Sequence, residues 1–223
     1  MTATVQKSAP EFEGALAYLP YKGVVEYRRN QVIYDEQNPS IGLSLVIRGR
    51  VKVTTSTEDG SPVVVGLFGA DEFFGVRTLL GDHMTSREQT TALEITTLMV
   101  WPRAEIEAHI EREPRLGVAL IQLLTMRCLD LEERLESLAT ANTQERLAVT
   151  LIRLAKSAPR GSDGVVTIPS LTHQVLSEYV GTSREIVSTH MSQWRRKGLV
   201  RYSRDVIQLY PEALSEHLRG PHV

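Results

Sequence analysis

The sequence predicts an α+β chain in three consecutive parts: an antiparallel β-domain, one long helix, and a compact helical module that ends in a β-hairpin. Three observations carry that reading. Short β-branched runs divided by glycine and proline fill about Val24 to Trp101. An apolar seam with a 3.5-residue period runs from Ile121 to Leu138. Net positive charge is confined to the last third: Thr143 to Val223 carries 11 Lys and Arg against 7 Asp and Glu, whereas Met1 to Asn142 carries 14 against 20. The whole-chain net of −2 hides this split. An acidic front and a basic back point to two jobs in one chain.

In the first part, Val32-Ile33-Tyr34, Leu43 to Ile47, Val51 to Thr55 and Val63 to Phe68 are strand candidates, followed by Thr90 to Leu93 and Thr96 to Trp101. Asp59-Gly60 between two alternating runs is a hairpin signal. Many short strands with regular turns predict a small barrel or a sandwich. Pro102-Arg103-Ala104-Glu105 reads as a helix start.

The long helix begins after Pro114. Ile121, Leu124, Cys128, Leu131, Leu135 and Leu138 follow at spacings of 3, 4, 3, 4 and 3, with Glu132, Glu133, Arg134 and Glu136 on the flanks. So narrow a stripe packs on its own domain or on a partner helix. Its place between an acidic and a basic module fits a dimer seam. The domain limits read as 1–113, 114–142 and 143–223. Gln144 to Lys156 is a further amphipathic helix, Pro159 to Gly164 a loop, and Val165 to Ile168 a short strand ended by Pro169.

Leu171 to Leu199 carries the strongest signal. Thr172 can cap a helix running to about Tyr179, and Gly181 supplies a left-handed turn. Thr182 or Ser183 caps a second helix with Ile186, Val187, Met191 and Trp194 inward. Arg184, Glu185, Ser188, Thr189 and Gln193 occupy its other face. Helix, glycine turn and polar-faced helix make a helix-turn-helix, whose second helix enters the DNA major groove. The chemistry suits that role: Arg184 can donate twice to guanine O6 and N7, and Glu185 can accept from cytosine N4. Ser183, Arg195, Arg196 and Lys197 can hold phosphates. Gly198-Leu199-Val200, Tyr202 and Val206 to Tyr210 form the wing.

Composition closes other routes. With 42% hydrophobic and 23% charged residues the chain is not largely disordered. The single cysteine, Cys128, excludes an intramolecular disulfide framework, a cysteine-only metal cage and a four-cysteine iron–sulfur cluster within one chain. No stretch approaches about 18 uncharged apolar residues, so no membrane span is expected. Met1 to Pro10 is polar and does not read as a secretory signal, which leaves the cytoplasm as the default compartment. A cupin-like metalloenzyme would need clustered histidines in the β-domain. His83 is the one histidine within the β-runs of Val24 to Trp101, and His109, His173, His190, His217 and His222 all come after them.

With these residues in view, the chain resembles the CRP/FNR transcription regulators across nearly its whole length. Leu45-Val46-Ile47-Arg48-Gly49-Arg50-Val51-Lys52-Val53 is similar to the family's barrel hairpin. Phe68-Gly69-Ala70-Asp71-Glu72-Phe73-Phe74-Gly75 is similar to the lead-in to its effector pocket, and Val180 to Ser188 to its recognition element. The resemblance implies a jelly-roll β-barrel of the cyclic-nucleotide-binding type, a long dimerisation helix and a C-terminal winged helix-turn-helix. It further implies a homodimer on palindromic double-stranded DNA, with RNA polymerase as a partner. Members that bind cyclic AMP carry a Gly-Glu pair at the pocket entrance and a later Arg-Ser pair. Here Gly75 precedes Val76, and the later segment reads Ser86-Arg87-Glu88. Thr189 falls where many members carry a second guanine-reading arginine.

Phe74-Gly75-Val76, followed by Leu79-Leu80, Gly81 and Arg87, is similar to the cyanobacterial nitrogen-control regulators, which bind 2-oxoglutarate. That likeness implies an effector site of Phe74, Gly75, Val76, Arg77, Arg87, Arg127 and Glu132. Physically, Arg87 and Arg127 could each clamp a carboxylate of a small dicarboxylate. An effector-independent regulator, a cyclic-nucleotide-responsive one, and a redox switch at Cys128 are the alternatives within the fold.

Overall fold

The computed structural model describes residues 14–57, 62–81, 87–156, 158, 160–161 and 163–219. The Asp59-Gly60 turn, His83, Ser86 and the Met1–Pro10 segment lie outside the described residues. The chain runs through β1 (Val24–Tyr27), β2 (Val32–Tyr34), β3 (Gly42–Arg48), β4 (Val51–Ser56), β5 (Pro62–Phe68), β6 (Phe73–Phe74), β7 (Glu88–Ala92) and β8 (Thr96–Pro102). It continues through α1 (Arg103–Arg112), α2 (Pro114–Thr140) and α3 (Thr143–Ala155). The last part comprises β9 (Val166–Pro169), α4 (His173–Val180), α5 (Arg184–Arg196), β10 (Val200–Tyr202), β11 (Val206–Leu209) and α6 (Pro211–Arg219).

The first eight strands form two antiparallel sheets, ordered β1-β8-β3-β6 and β2-β7-β4-β5. They are jelly-roll-like, and among the described residues hydrogen bonds do not close them into one barrel. Strand β3 shows why this region reads as β. Gly42 to Val46 are all buried. Leu43 and Leu45 pack with Trp101, Ile106, Leu116 and Leu120 beneath the helices. Val46 turns the other way and packs with Val51, Val53, Phe74 and Leu98 between the sheets. A strand covered on both faces has no polar side, so its alternation disappears. Strand β6, two residues long, has no run that sequence reading could find. It divides Phe73 and Phe74 between the same two cores. Gly75 follows at φ +79°, where a Cβ would stand 2.9 Å from the Gly42 carbonyl oxygen. Only glycine meets both conditions cheaply.

Helix α1 begins one residue after Pro102, and the proline that opens a helix from within is Pro114 of α2. Helix α3 starts in a capping box: the Asn142 side chain accepts from Glu145 N and the Glu145 carboxylate accepts from Asn142 N. The terminal helix α6 was not foreseen. Pro211-Glu212 at its start and Leu214 with Leu218 one turn apart are its signal.

The C-terminal core gathers Leu147, Leu151, Ile168, Leu176, Val187, Met191, Trp194 and Leu209. Val64 and Leu67 of β5 belong to it as well. The β-domain therefore enters the core of the C-terminal module, and apolar packing is continuous between them. No helix among the described residues is long and apolar enough to cross a membrane.

Replacing Asn142 with alanine removes the half of the capping box that its side chain accepts and leaves the half donated by its backbone N–H. We expect a loss of about 1 kcal/mol, read from urea denaturation, with an unchanged m-value.

Candidate nucleic-acid interface and ligand cavity

Helix α4 ends at Gly181, whose φ of +74° turns the chain toward α5. Ser183 caps α5: its hydroxyl oxygen accepts from Ile186 N at 3.3 Å. Val187, Met191 and Trp194, at spacings of 4 and 3, are fully buried. Arg184, Glu185, Thr189, Gln193, Arg195 and Arg196 are exposed. The first turn thus presents a guanidinium and a carboxylate side by side, backed by a rigid apolar ridge. The Glu185 carboxyl is held below its ordinary value by its own backbone N–H and then by the Ser183 hydroxyl, so it is an acceptor at neutral pH. Ser188 and Thr189 donate back to the carbonyls of Arg184 and Glu185, each at 2.9 Å. Their oxygens keep acceptor capacity for a base edge.

The phosphate candidates divide by their surroundings. Arg195 lies over the Tyr202 ring at 5.2 Å. Lys197 sits 3.2 Å from His217 Nε2, and Arg196 is exposed. Thr172 caps α4, accepting from Val175 N at 3.2 Å, and remains exposed. Sequence reasoning missed His173. Its Nδ1 lies 2.8 Å from the Ser188 hydroxyl, and its ring meets Tyr202 edge-on at 5.5 Å. It links α4, α5 and the β10–β11 hairpin. Its position directly after the Thr172 cap, facing the second helix, was the available signal.

A cavity of about 400 Å³ lies between the two sheets and α2. Phe74, Gly75, Val76, Arg77 and Arg127 line it. Arg77 pairs with Glu88 at 3.4 Å. Arg127 donates from Nη2 to the Val65 carbonyl at 3.3 Å and lies over Phe68 at 4.8 Å. Arg87 and Glu132, expected in the same site, are exposed and outside the lining. Glu132 is five residues past Arg127, about 140° around an ideal helix, which turns it from the cavity. Tyr34, also in the lining, is pushed up to about 12 by burial, with its bond to Thr90 opposing, so its phenol stays neutral. Among the described residues no three His, Cys, Asp or Glu side chains gather as metal ligands.

Cavity and interface are joined through β5. Arg134 donates to the carbonyls of Val64 (2.9 Å) and Val65 (3.2 Å) on β5 and of Tyr179 (3.0 Å) on α4, and stacks on the Tyr179 ring at 4.1 Å. Arg146 donates to the carbonyls of Ala141, Val180 and Gly181. These arginines satisfy carbonyls at the C-terminus of α4, which an α-helix leaves open. Lys52 of β4 adds an ion pair to Glu178 at 3.0 Å. Along α2, Ile121, Leu124, Cys128, Leu131, Leu135 and Leu138 are all exposed, with Leu131 also in the cavity lining and Leu138 beside Gly181.

Comparison with known proteins adds family context. Residues 24–113 match the family of cyclic nucleotide-binding domains, and residues 145–217 match the Crp-like helix-turn-helix domains. The global nitrogen regulator of Nostoc sp. is 26% identical over 96% of this chain and 98% of its own length. FixK2 from Bradyrhizobium japonicum superposes with a TM-score of 0.73 at 19% identity, covering 87% of this chain and 96% of that one. A transcriptional regulator of the CRP/FNR family from Thermus thermophilus gives a TM-score of 0.67 at 25% identity, covering 89% of this chain and 99% of that one.

His173 titrates below its ordinary value, first through burial and then through Arg184. A proton therefore binds the unfolded chain more tightly, and stability falls as pH drops through 6.5 toward the folded value. Thermal melts at about pH 7.5 and about pH 5.5 should show a smaller acid shift for His173→Gln than for the parent. Parallel shifts would remove the residue from the acid response.

Proposed function

The chain belongs to the CRP/FNR family of transcription regulators, with a cyclic nucleotide-binding-type domain ahead of a Crp-like helix-turn-helix, and from that premise we propose that it acts in the cytoplasm as a homodimer on palindromic DNA, under control of a small acidic effector held between the β-domain and α2. Its relatives are transcription regulators and not enzymes. The observation that carries the reading is the division of α5. Its buried ridge fixes the helix, and its open face offers Arg184 and Glu185 to a major groove.

The base-reading pair is Arg184, for a guanine, and Glu185, for the adjoining cytosine. Ser188 and Thr189 extend that face, while Thr172, Ser183, Arg195, Arg196 and Lys197 position the backbone. Two copies paired along the α2 seam would set two reading helices about one DNA turn apart. Leu135 at 68% exposure and Ile121 at 65% support such a covered seam, since apolar side chains in a regular stripe gain most by pairing. RNA polymerase is the partner that family resemblance supplies. The cavity is the effector site, with Phe74, Gly75, Val76, Arg77 and Arg127 in its wall. The Arg134 contacts run from that wall to α4.

Arg184→Ala is expected to cost about 1–3 kcal/mol on a duplex recovered by in vitro selection, and to leave affinity for random DNA nearly unchanged. Equal losses on both duplexes, measured by fluorescence anisotropy, would reduce the residue to a phosphate contact. Arg196→Ala should weaken both duplexes alike and flatten the salt dependence by about one unit of slope. Leu135→Asp should move the protein from dimer to monomer in sedimentation velocity. A variant that stays dimeric would place the pairing surface elsewhere.

A further inference from the structure

The effector cavity has a charge pattern that narrows what it can hold, on the premise that it is the effector site. Its interior is apolar and aromatic. Phe74 is 1% exposed and packs at 6.2 Å from Tyr34 and 5.7 Å from Phe68. Val53 and Val65 continue the same wall.

The cations are fewer than a dianion needs. Arg77 is engaged with Glu88. Arg87 lies outside the lining. Arg127 is the guanidinium left to meet a ligand: one N–H goes to Val65 O, and its other donors have no hydrogen-bond partner among the described residues. Burial works against its charge, and Asp130 and Glu72 offset this only in part. Asp71, Glu72 and Asp130 stand exposed in the lining. A second carboxylate, or a phosphodiester with its sugar, would face those oxygens with no cation of its own.

Arg127 is also free to turn. Val65 O accepts from Arg134 Nη1 at 3.2 Å as well, so it stays satisfied if Arg127 leaves. Gly66 leaves the room: a Cβ there would stand 2.4 Å from the Phe68 ring and 3.1 Å from Arg127 Nη2.

We propose that the cavity takes a monoanion with an apolar body, an aromatic or medium-chain monocarboxylate, whose carboxylate is forked by Arg127 and whose body lies on the Phe68–Phe74 wall. A volume of about 400 Å³ sits at the small end of ligand cavities and suits a molecule of this size. Binding draws Arg127 from the Val65 carbonyl and leaves Arg134 as its donor, so occupancy changes the bonding of the strand that also anchors α4.

The full-length protein is titrated calorimetrically with phenylacetate, 3-phenylpropionate and octanoate, and with 2-oxoglutarate and cyclic AMP for contrast. Affinity for the selected duplex is followed in parallel. At least one monocarboxylate should bind and shift duplex affinity. Arg127→Gln should weaken that binding about tenfold or more, the value of a lost charge-assisted pair. Arg127→Lys should give an intermediate loss, and Arg87→Gln none. Circular dichroism of each variant confirms that it folds. If 2-oxoglutarate or cyclic AMP binds through Arg127 and the monocarboxylates do not, the ligand class is wrong and effector control stands. If no compound binds or shifts duplex affinity, both fall. A monocarboxylate that binds Arg127→Gln as well as it binds the parent also overturns the proposal.

Discussion

Arg134 holds three parts of the molecule with one side chain. Its guanidinium bonds two carbonyls of β5 and one of α4, and its plane lies on Tyr179. A carbonyl buried without a donor costs about 1–3 kcal/mol, so these contacts restrict where β5 and α4 can sit relative to α2. Arg153 stacks on Tyr179 as well, at 5.2 Å, so this aromatic ring has two cations against it. Burial lowers the affinity of both guanidiniums for their protons, which is the electrostatic cost of gathering cations here. The fork geometry of arginine makes such a junction possible, because a lysine could not reach three carbonyls in one plane.

That junction sets the frame for the reading helix. Helix α4 is held by Arg134, Arg146 and the Lys52–Glu178 pair. Gly181 fixes the angle to α5, and Trp194 with Met191 fixes its depth. Few degrees of freedom remain at Arg184 and Glu185. The same strand that supplies Arg134's acceptors contributes Val64 and Leu67 to the C-terminal core. The β-domain and the DNA-reading module thus share both apolar packing and hydrogen bonds, and a change at β5 reaches both.

The cavity uses the remaining side of that strand. Val65 O accepts from Arg127, which faces the cavity, and from Arg134, which faces α4. A carbonyl oxygen has two lone pairs, so both bonds can coexist. Any ligand acts on the regulator only by the difference in its affinity for the arrangements of this strand.

The local elements were legible because short-range chemistry decides them. Thr172, Gly181 and Ser183 mark helix ends by their own side chains or by the lack of one. The 4 and 3 spacing of Val187, Met191 and Trp194 selects one buried face. The seam from Ile121 to Leu138 was likewise visible as a period, and the fold leaves it exposed. The tertiary structure alone decided which arginine meets what. Arg87 and Arg127 look alike in sequence, yet one is exposed beside β7 and the other is in the cavity wall. His173, β6 and the sharing of β5 between two cores were equally hidden. Each depends on contacts between residues far apart in the chain, and such contacts leave no period, cap or turn residue for a sequence to display.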